Sequence, residues 1–235
     1  MSMTCQWLHE KLEVLPLIKY PYDEEALPKN GIYFFYEIGE IWGHSGNNSR
    51  IARIGTHKGD NFGNRISEHY LVDEEIMNFD WNKPKPSDRS IFRNNIGRVL
   101  LNQDNNPYLS VWMKNYTERE TRVKFGHLRD IHFEKEIESQ ITNIIRDRFS
   151  FRFFIIEDEV KRIGEKGLEN RLIGTVGGCN LCKPSRNWFG RNSPVKKIAE
   201  SRLWQVQHLN SDEINSKDMK DIEIFIQETL TWLES

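Results

Sequence analysis

Cysteine is scarce in this chain. Three occur among 235 residues, an odd number that internal disulfides would not use up. That argues against a disulfide scaffold and for a reducing, cytoplasmic setting. No apolar stretch approaches the roughly 18 residues that a membrane-spanning helix requires. The opening MSMTCQWLHEKLEV lacks the architecture of a signal peptide, so no membrane partner is expected. Internal repeats and low-complexity segments are missing as well. Nor is there an excess of basic charge: 33 Lys and Arg stand against 35 Asp and Glu, for a net charge of -2. Such a balance disfavours extensive non-specific binding to a polyanion but leaves room for a local basic groove.

What remains is the composition of a soluble globular protein, 37% hydrophobic and 29% charged. The length supports one large or two small domains with a substantial core. Charge is uneven: NWFGRNSPVKKIAESR is basic and SDEINSKDMKDIEIF is acid-rich. A basic face beside an acidic tail and a plain solvated surface both fit that pattern.

Residues 1–28 read as a lead-in, because Pro16, Pro21 and Pro28 break any long helix. Ile32, Phe34, Phe35, Tyr36 and Ile38 predict a buried strand, and RIARIGTH its partner across a glycine- and asparagine-rich connection. NRISEHYLVDEEIM predicts a helix with Ile66, Tyr70 and Leu71 inward, and SIFRNNIGRVLLNQ and NPYLSVWMKN two more. FEKEIESQITNIIRDRF carries Phe133, Ile137, Ile141, Ile144, Ile145 and Phe149 at helical spacing. SFRFFIIED predicts a third strand, and EVKRIGEKGLENRLIGTV a helix ending at Gly177-Gly178. One or two helices close the chain. The pattern is α+β or α/β with a small sheet.

Chemistry enters with two short stretches, NGIYFFYEIGE and RIGTH. Gly31-Ile32-Tyr33 lies on one strand and Arg53-Ile54-Gly55 on the next; Arg65 and His69 follow on the first helix, Glu169 on a later one, and Asn187 beyond it. In this order the elements resemble the signature of the GIY-YIG nuclease superfamily, in its restriction-endonuclease-like branch, over roughly residues 29–192. The second tripeptide departs from the name-giving motif, since Arg53 stands where a tyrosine is usual. The resemblance implies an α+β fold, a small central antiparallel sheet flanked by helices. It further implies a single domain over 1–235, with a catalytic core at 29–192, a helical insertion at 78–149 and a C-terminal helical extension at 193–235.

It also implies hydrolysis of phosphodiester bonds in DNA, double-stranded by expectation, with Mg2+ or Mn2+. Such a reaction needs an activated water, relief of charge on the phosphate and help for the leaving oxygen. Tyr33 would orient or deprotonate the water. A free phenol, with a pKa near ~10, is a poor base at neutrality, so His69 would take its proton. Arg65 lies four residues before His69, on the same helix face, and would clamp phosphate oxygens; Arg53 can only donate and is assigned a phosphate contact. Glu169 would be the sole protein ligand of the cation, which suits an ion that keeps several waters. Asn187 would orient phosphate or a metal-bound water. Lys58, Arg89, Arg93 and Arg98 are candidates for substrate contact. One site cutting both strands implies a homodimer or sequential nicking.

Each assignment has a plainer counterpart. Tyr33 fits a core strand, His69 a helix cap or solvent, and Glu169 competes with Glu165 and Glu159 on a helix of surface ion pairs. His57 and Lys58 fit a solvated turn. Cys179 and Cys182 form a CxxC with no second CxxC and no spaced histidine pair, so a four-ligand zinc site is incomplete and the two read as ordinary thiols in a loop. Trp188 and Phe189 in KPSRNWFGR fit both a backbone-tracking surface and plugs docking a loop on the core. A non-catalytic nucleic-acid-binding module of the same fold, and an unrelated interaction protein, are the competing functions.

Overall fold

Along a strand, Ile32, Phe34 and Tyr36 point one way and Tyr33 and Phe35 the other, so this run needs cover on both sides. The structure, a computed structural model, describes residues 3–44, 47–164 and 167–235. Its elements in the first half are α1 (Met3–Leu12), β1 (Ile18–Lys19), β2 (Ile32–Ile41), β3 (Ser49–Gly55), α2 (Phe62–Tyr70), α3 (Pro86–Arg89) and α4 (Ile91–Gln103). There follow α5 (Leu109–Trp112), α6 (Arg119–Phe125), α7 (Ile131–Arg148), β4 (Phe149–Phe154), α8 (Glu159–Arg162), α9 (Leu168–Gly177), α10 (Lys196–Ser201) and α11 (Ser216–Leu233).

The four strands form one antiparallel sheet in the order β1-β4-β2-β3, so β2 is interior and all of Ile32–Tyr36 is buried. Tyr33 and Phe35 share a face with Phe151 and Phe153. That face is covered by Phe62, Ile66 and Tyr70 of α2, Phe92 and Ile96 of α4, and Ile141 and Ile145 of α7. Ile32, Phe34, Tyr36, Ile54 and Phe154 form the opposite face, covered by Leu8 and Leu12 of α1, Leu172 and Ile173 of α9, and Ile222 and Ile226 of α11. At roughly 1.5–3 kcal/mol for each large apolar side chain buried, these two layers dominate the fold's stability. The expected α+β class, with an antiparallel sheet between helices, is what the chain adopts.

Several local expectations differ. Ile38 is 68% exposed, because β2 outruns its pairing with β4 at Glu37 and the side chain leaves the sandwich. The lead-in holds a ten-residue helix, α1, which stops before Pro16 as the prolines require, and the two-residue β1, which pairs with Ser150 and Phe151. The helix expected over 159–176 is two helices, split where Gly164 adopts φ +97°. The one expected from Asn64 to Met77 ends at Tyr70, where Leu71 turns left-handed at φ 53° and its N–H bonds back to the Ser67 carbonyl. NPYLSVWMKN yields only the single turn of α5.

Candidate active site

Tyr33 lies near the start of β2, and its partner in register on β3 is Gly55. A Cβ at Gly55 would stand 2.5 Å from the ring carbon that carries the Tyr33 hydroxyl. Glycine is therefore what lets the phenol lie across β3. The ring meets Phe35, Phe62 and His69 edge-on, with centroids 5.5, 5.9 and 5.6 Å away. This contact fixes where the hydroxyl points.

The Tyr33 hydroxyl is 3.0 Å from His69 Nε2, and His69 Nδ1 is 2.8 Å from Ser90 Oγ. Ser90 caps α4, its oxygen accepting the Arg93 N–H at 3.3 Å. A second lone pair on that oxygen is open to a His69 Nδ1–H, which leaves Nε2 to accept from the phenol. His69 is completely buried; desolvation, with Arg65, Arg53 and Arg93 nearby, holds its pKa well below the ordinary 6.5. The imidazole is thus neutral at neutral pH and has a lone pair to offer.

Arg65, one helical turn before His69, reaches the rim. Its Nη1 donates to Glu68 Oε2 at 2.7 Å and to the Arg89 carbonyl at 2.9 Å, and the Tyr33 phenol is a close electrostatic neighbour. Glu169 enters from the other sheet face. It sits in the first turn of α9, which packs on β3, and its carboxylate accepts the backbone N–H of Thr56, the residue after Gly55. Burial pushes its pKa up from the ordinary 4.5 against the pull of Arg53, Arg162 and Arg65. Tyr33 and Glu169 thus approach the adjacent residues Gly55 and Thr56, and Arg65 is an electrostatic neighbour of both. Glu159 is occupied otherwise, accepting the Gly59 N–H at 2.6 Å, and Glu165 lies outside the described residues.

Arg53 joins this group from below. It is 6% exposed, donates to the Trp204 carbonyl at 2.8 Å and stacks 5.3 Å from the Phe92 centroid, so it adds charge beside Glu169 and His69 rather than an open hand for phosphate. Lys58 and Arg89 are exposed, Lys58 three residues after Gly55 and Arg89 beside Arg65. Arg98 is held by Asn95 at 2.9 Å.

Two expected site residues lie elsewhere. Arg93 is fully buried: it pairs with Glu138 at 2.8 Å and donates to the His69 carbonyl and to Thr142, which makes it an internal strut with no atom for substrate. Asn187 is exposed in a loop tied to the far end of β2. Its N–H bonds Ser185 Oγ, and Ser185 donates to Glu40, seven residues along the strand from Tyr33. Next to it Trp188 is buried and donates to Glu37, a plug on the core.

Sequence reasoning missed Ser90, whose only signal was a serine opening a helix, and Arg162. The latter is buried and ties Asn30, the Ile156 carbonyl and the His57 carbonyl together beside Glu169. Among the described residues no helix is long and apolar enough to cross a membrane. No curated protein and no solved structure matches the chain. The family description "GIY-YIG domain" matches residues 8–231, nearly its whole length, and the chain therefore belongs to the GIY-YIG family.

Proposed function

We propose that this protein is a metal-dependent endonuclease that hydrolyses phosphodiester bonds in double-stranded DNA. The observation that carries the reading is the relay Tyr33–His69–Ser90, with links of 3.0 and 2.8 Å, set beside Arg65 and Glu169. In it, Ser90 Oγ accepts from His69 Nδ1–H, His69 Nε2 accepts the phenolic proton, and the freed phenolate oxygen orients or deprotonates water. Arg65 binds non-bridging phosphate oxygens, exchanging its contact with Glu68 for the substrate. Lys58 and Arg89 add backbone contacts that carry no sequence information.

The donor set at Glu169 fits Mg2+ or Mn2+. It offers one half-buried carboxylate, raised in pKa by burial and so favoured by a nearby cation, and among the described residues no cluster of further acidic, His or Cys ligands surrounds it. Such an ion would supply Lewis-acid relief of charge on the phosphate and the leaving oxygen.

Plasmid cleavage with and without Mg2+ tests the reading. Glu169→Gln is expected to abolish cleavage while its thermal transition stays cooperative. Tyr33→Phe, which deletes one oxygen, is expected to lose a factor of about 10² or more in rate. Wild-type turnover by either variant would remove the role given to that residue. A wild-type protein that binds DNA in a salt-sensitive manner without cutting it would point to the non-catalytic module instead.

A further inference from the structure

The CxxC of Cys179 and Cys182 finds in three dimensions the partners it lacks in sequence. Cys5, on the buried side of α1, brings Sγ to 3.8 Å from Cys182 Sγ. His44, in the turn between β2 and β3, brings Nε2 to 3.3 Å from Cys179 Sγ. One donor atom from each of the four lies within 4.8 Å of every other. Tetrahedral zinc, with Zn–S near ~2.3 Å and Zn–N near ~2.0 Å, separates two sulfurs by about 3.8 Å and a sulfur and a nitrogen by about 3.5 Å. None of the three cysteines is in a disulfide, and 3.8 Å is nearly twice an S–S bond of ~2.05 Å. All three are buried.

The surroundings are shaped for this cluster. Gly43 presses against the CxxC loop so closely that a Cβ there would overlap the Leu181 carbonyl, its carbon 2.6 Å away. Only glycine lets the turn deliver His44 to the thiols. His9 Nδ1 also lies 3.6 Å from Cys5 Sγ, but both its nitrogens are used: Nδ1 bonds the Cys5 carbonyl at 2.9 Å and Nε2 accepts the Ile51 N–H at 3.2 Å. It stacks on Trp42 at 5.2 Å and walls the cluster. His44 Nδ1, by contrast, has no hydrogen-bond partner among the described residues. Three thiolates and a neutral imidazole around Zn2+ leave one negative charge, and the buried Arg50 guanidinium is an electrostatic neighbour of Cys182.

We propose that Cys5, His44, Cys179 and Cys182 form a structural Zn2+ site. It staples α1, the β2–β3 turn and the loop after α9, three segments far apart in sequence. The site is closed: four protein ligands leave no open position, so its part is architectural and separate from the cation at Glu169.

Elemental analysis of the intact protein, purified under reducing conditions, is expected to find one zinc per chain. Replacement by Co2+ is expected to give the visible absorption of a tetrahedral thiolate site. His44→Cys is expected to keep the metal and to change the cobalt spectrum toward that of four thiolates. Cys179→Ser with Cys182→Ser is expected to lose the metal and lower the melting temperature. Should that double variant fail to fold, the wild-type zinc content and cobalt spectrum decide alone. Glu169→Gln is expected to retain full zinc, so failure of the nuclease reading leaves this result untouched. Wild-type protein without zinc, and without a cobalt–thiolate band on titration, would overturn the proposal, as would stoichiometric iron in place of zinc.

Discussion

The two ends of β2 are built by opposite strategies. At its start, Tyr33 is gathered with His69, Arg65 and Ser90, all from within one stretch of about sixty residues. Beyond its other end, on the order of 25 Å away along the strand, His44 meets Cys5, Cys179 and Cys182, drawn from widely separated parts of the chain. Each end also buries a neutral histidine. His69 is held well below 6.5 by desolvation and three arginines; His9 is pushed down to about 4, chiefly by desolvation. The difference lies in what the imidazoles do. His9 has both nitrogens tied to backbone and serves as a wall, whereas His69 has one nitrogen on a serine and the other on a phenol, the arrangement that the proposed proton relay requires. Burial makes a histidine neutral; its partners decide whether neutrality is used.

The sharpest test of this division compares two arginines on the Tyr33 side. Arg93→Ala removes the guanidinium partner of the fully buried Glu138 carboxylate, and is expected to destabilise the fold by ~3–5 kcal/mol. Arg65 forms a partly exposed ion pair with Glu68 and donates to the Arg89 carbonyl, so Arg65→Ala is expected to cost about 1 kcal/mol of stability yet to abolish measurable cleavage. Denaturant unfolding and plasmid cleavage on both variants read this out. Equal stability losses would erase the distinction between strut and clamp.

Gly55→Ala comes next. The added methyl meets the Tyr33 ring, so ~1–3 kcal/mol of destabilisation is expected, with a loss of cleavage larger than that of a remote substitution of equal cost, such as Ile222→Val scaled to the same melting temperature. Unchanged cleavage in Gly55→Ala would mean that the position of the phenol does not matter.

The arrangement around Tyr33 was legible in sequence because its parts sit at short, rule-bound spacings. Arg65 and His69 are one helical turn apart, and the two tripeptides lie on strands that pair with each other. The antiparallel sheet was legible for a similar reason, since an apolar run with both faces greasy belongs inside a sheet. What the sequence hid was depth. Arg93 and Arg89 are four residues apart and look alike on paper, but the packing of α7 against α4 seals one and leaves the other in solvent. Asn187 follows the motif's order along the chain while Ser185 ties its loop to the wrong end of β2. Cys5 and His44 could not be found at all, because no spacing rule links residues that meet only after three segments dock. The short β1 was equally invisible, two residues that become a strand only beside β4.

A smaller effect separates the two histidines by pH. The unfolded chain takes up a proton at His69 below pH ~6.5, and the folded protein does so only at a lower pH. The stability owed to this group is therefore complete above ~6.5 and lost as the pH falls beneath it, by at most about 1.4 kcal/mol per pH unit. His9 contributes with the same sign, so the wild-type curve alone does not assign the slope. Subtracting the curve of His69→Gln does, and the difference is expected to be a constant offset above pH ~6.5 and to change with pH below it. Cleavage should show no acid limb at ~6.5 from this residue, because the folded imidazole stays neutral there and keeps its lone pair for Tyr33. A difference curve that is flat below ~6.5 would mean that His69 titrates normally in the fold, and a relay that depends on a neutral, buried acceptor would lose its footing.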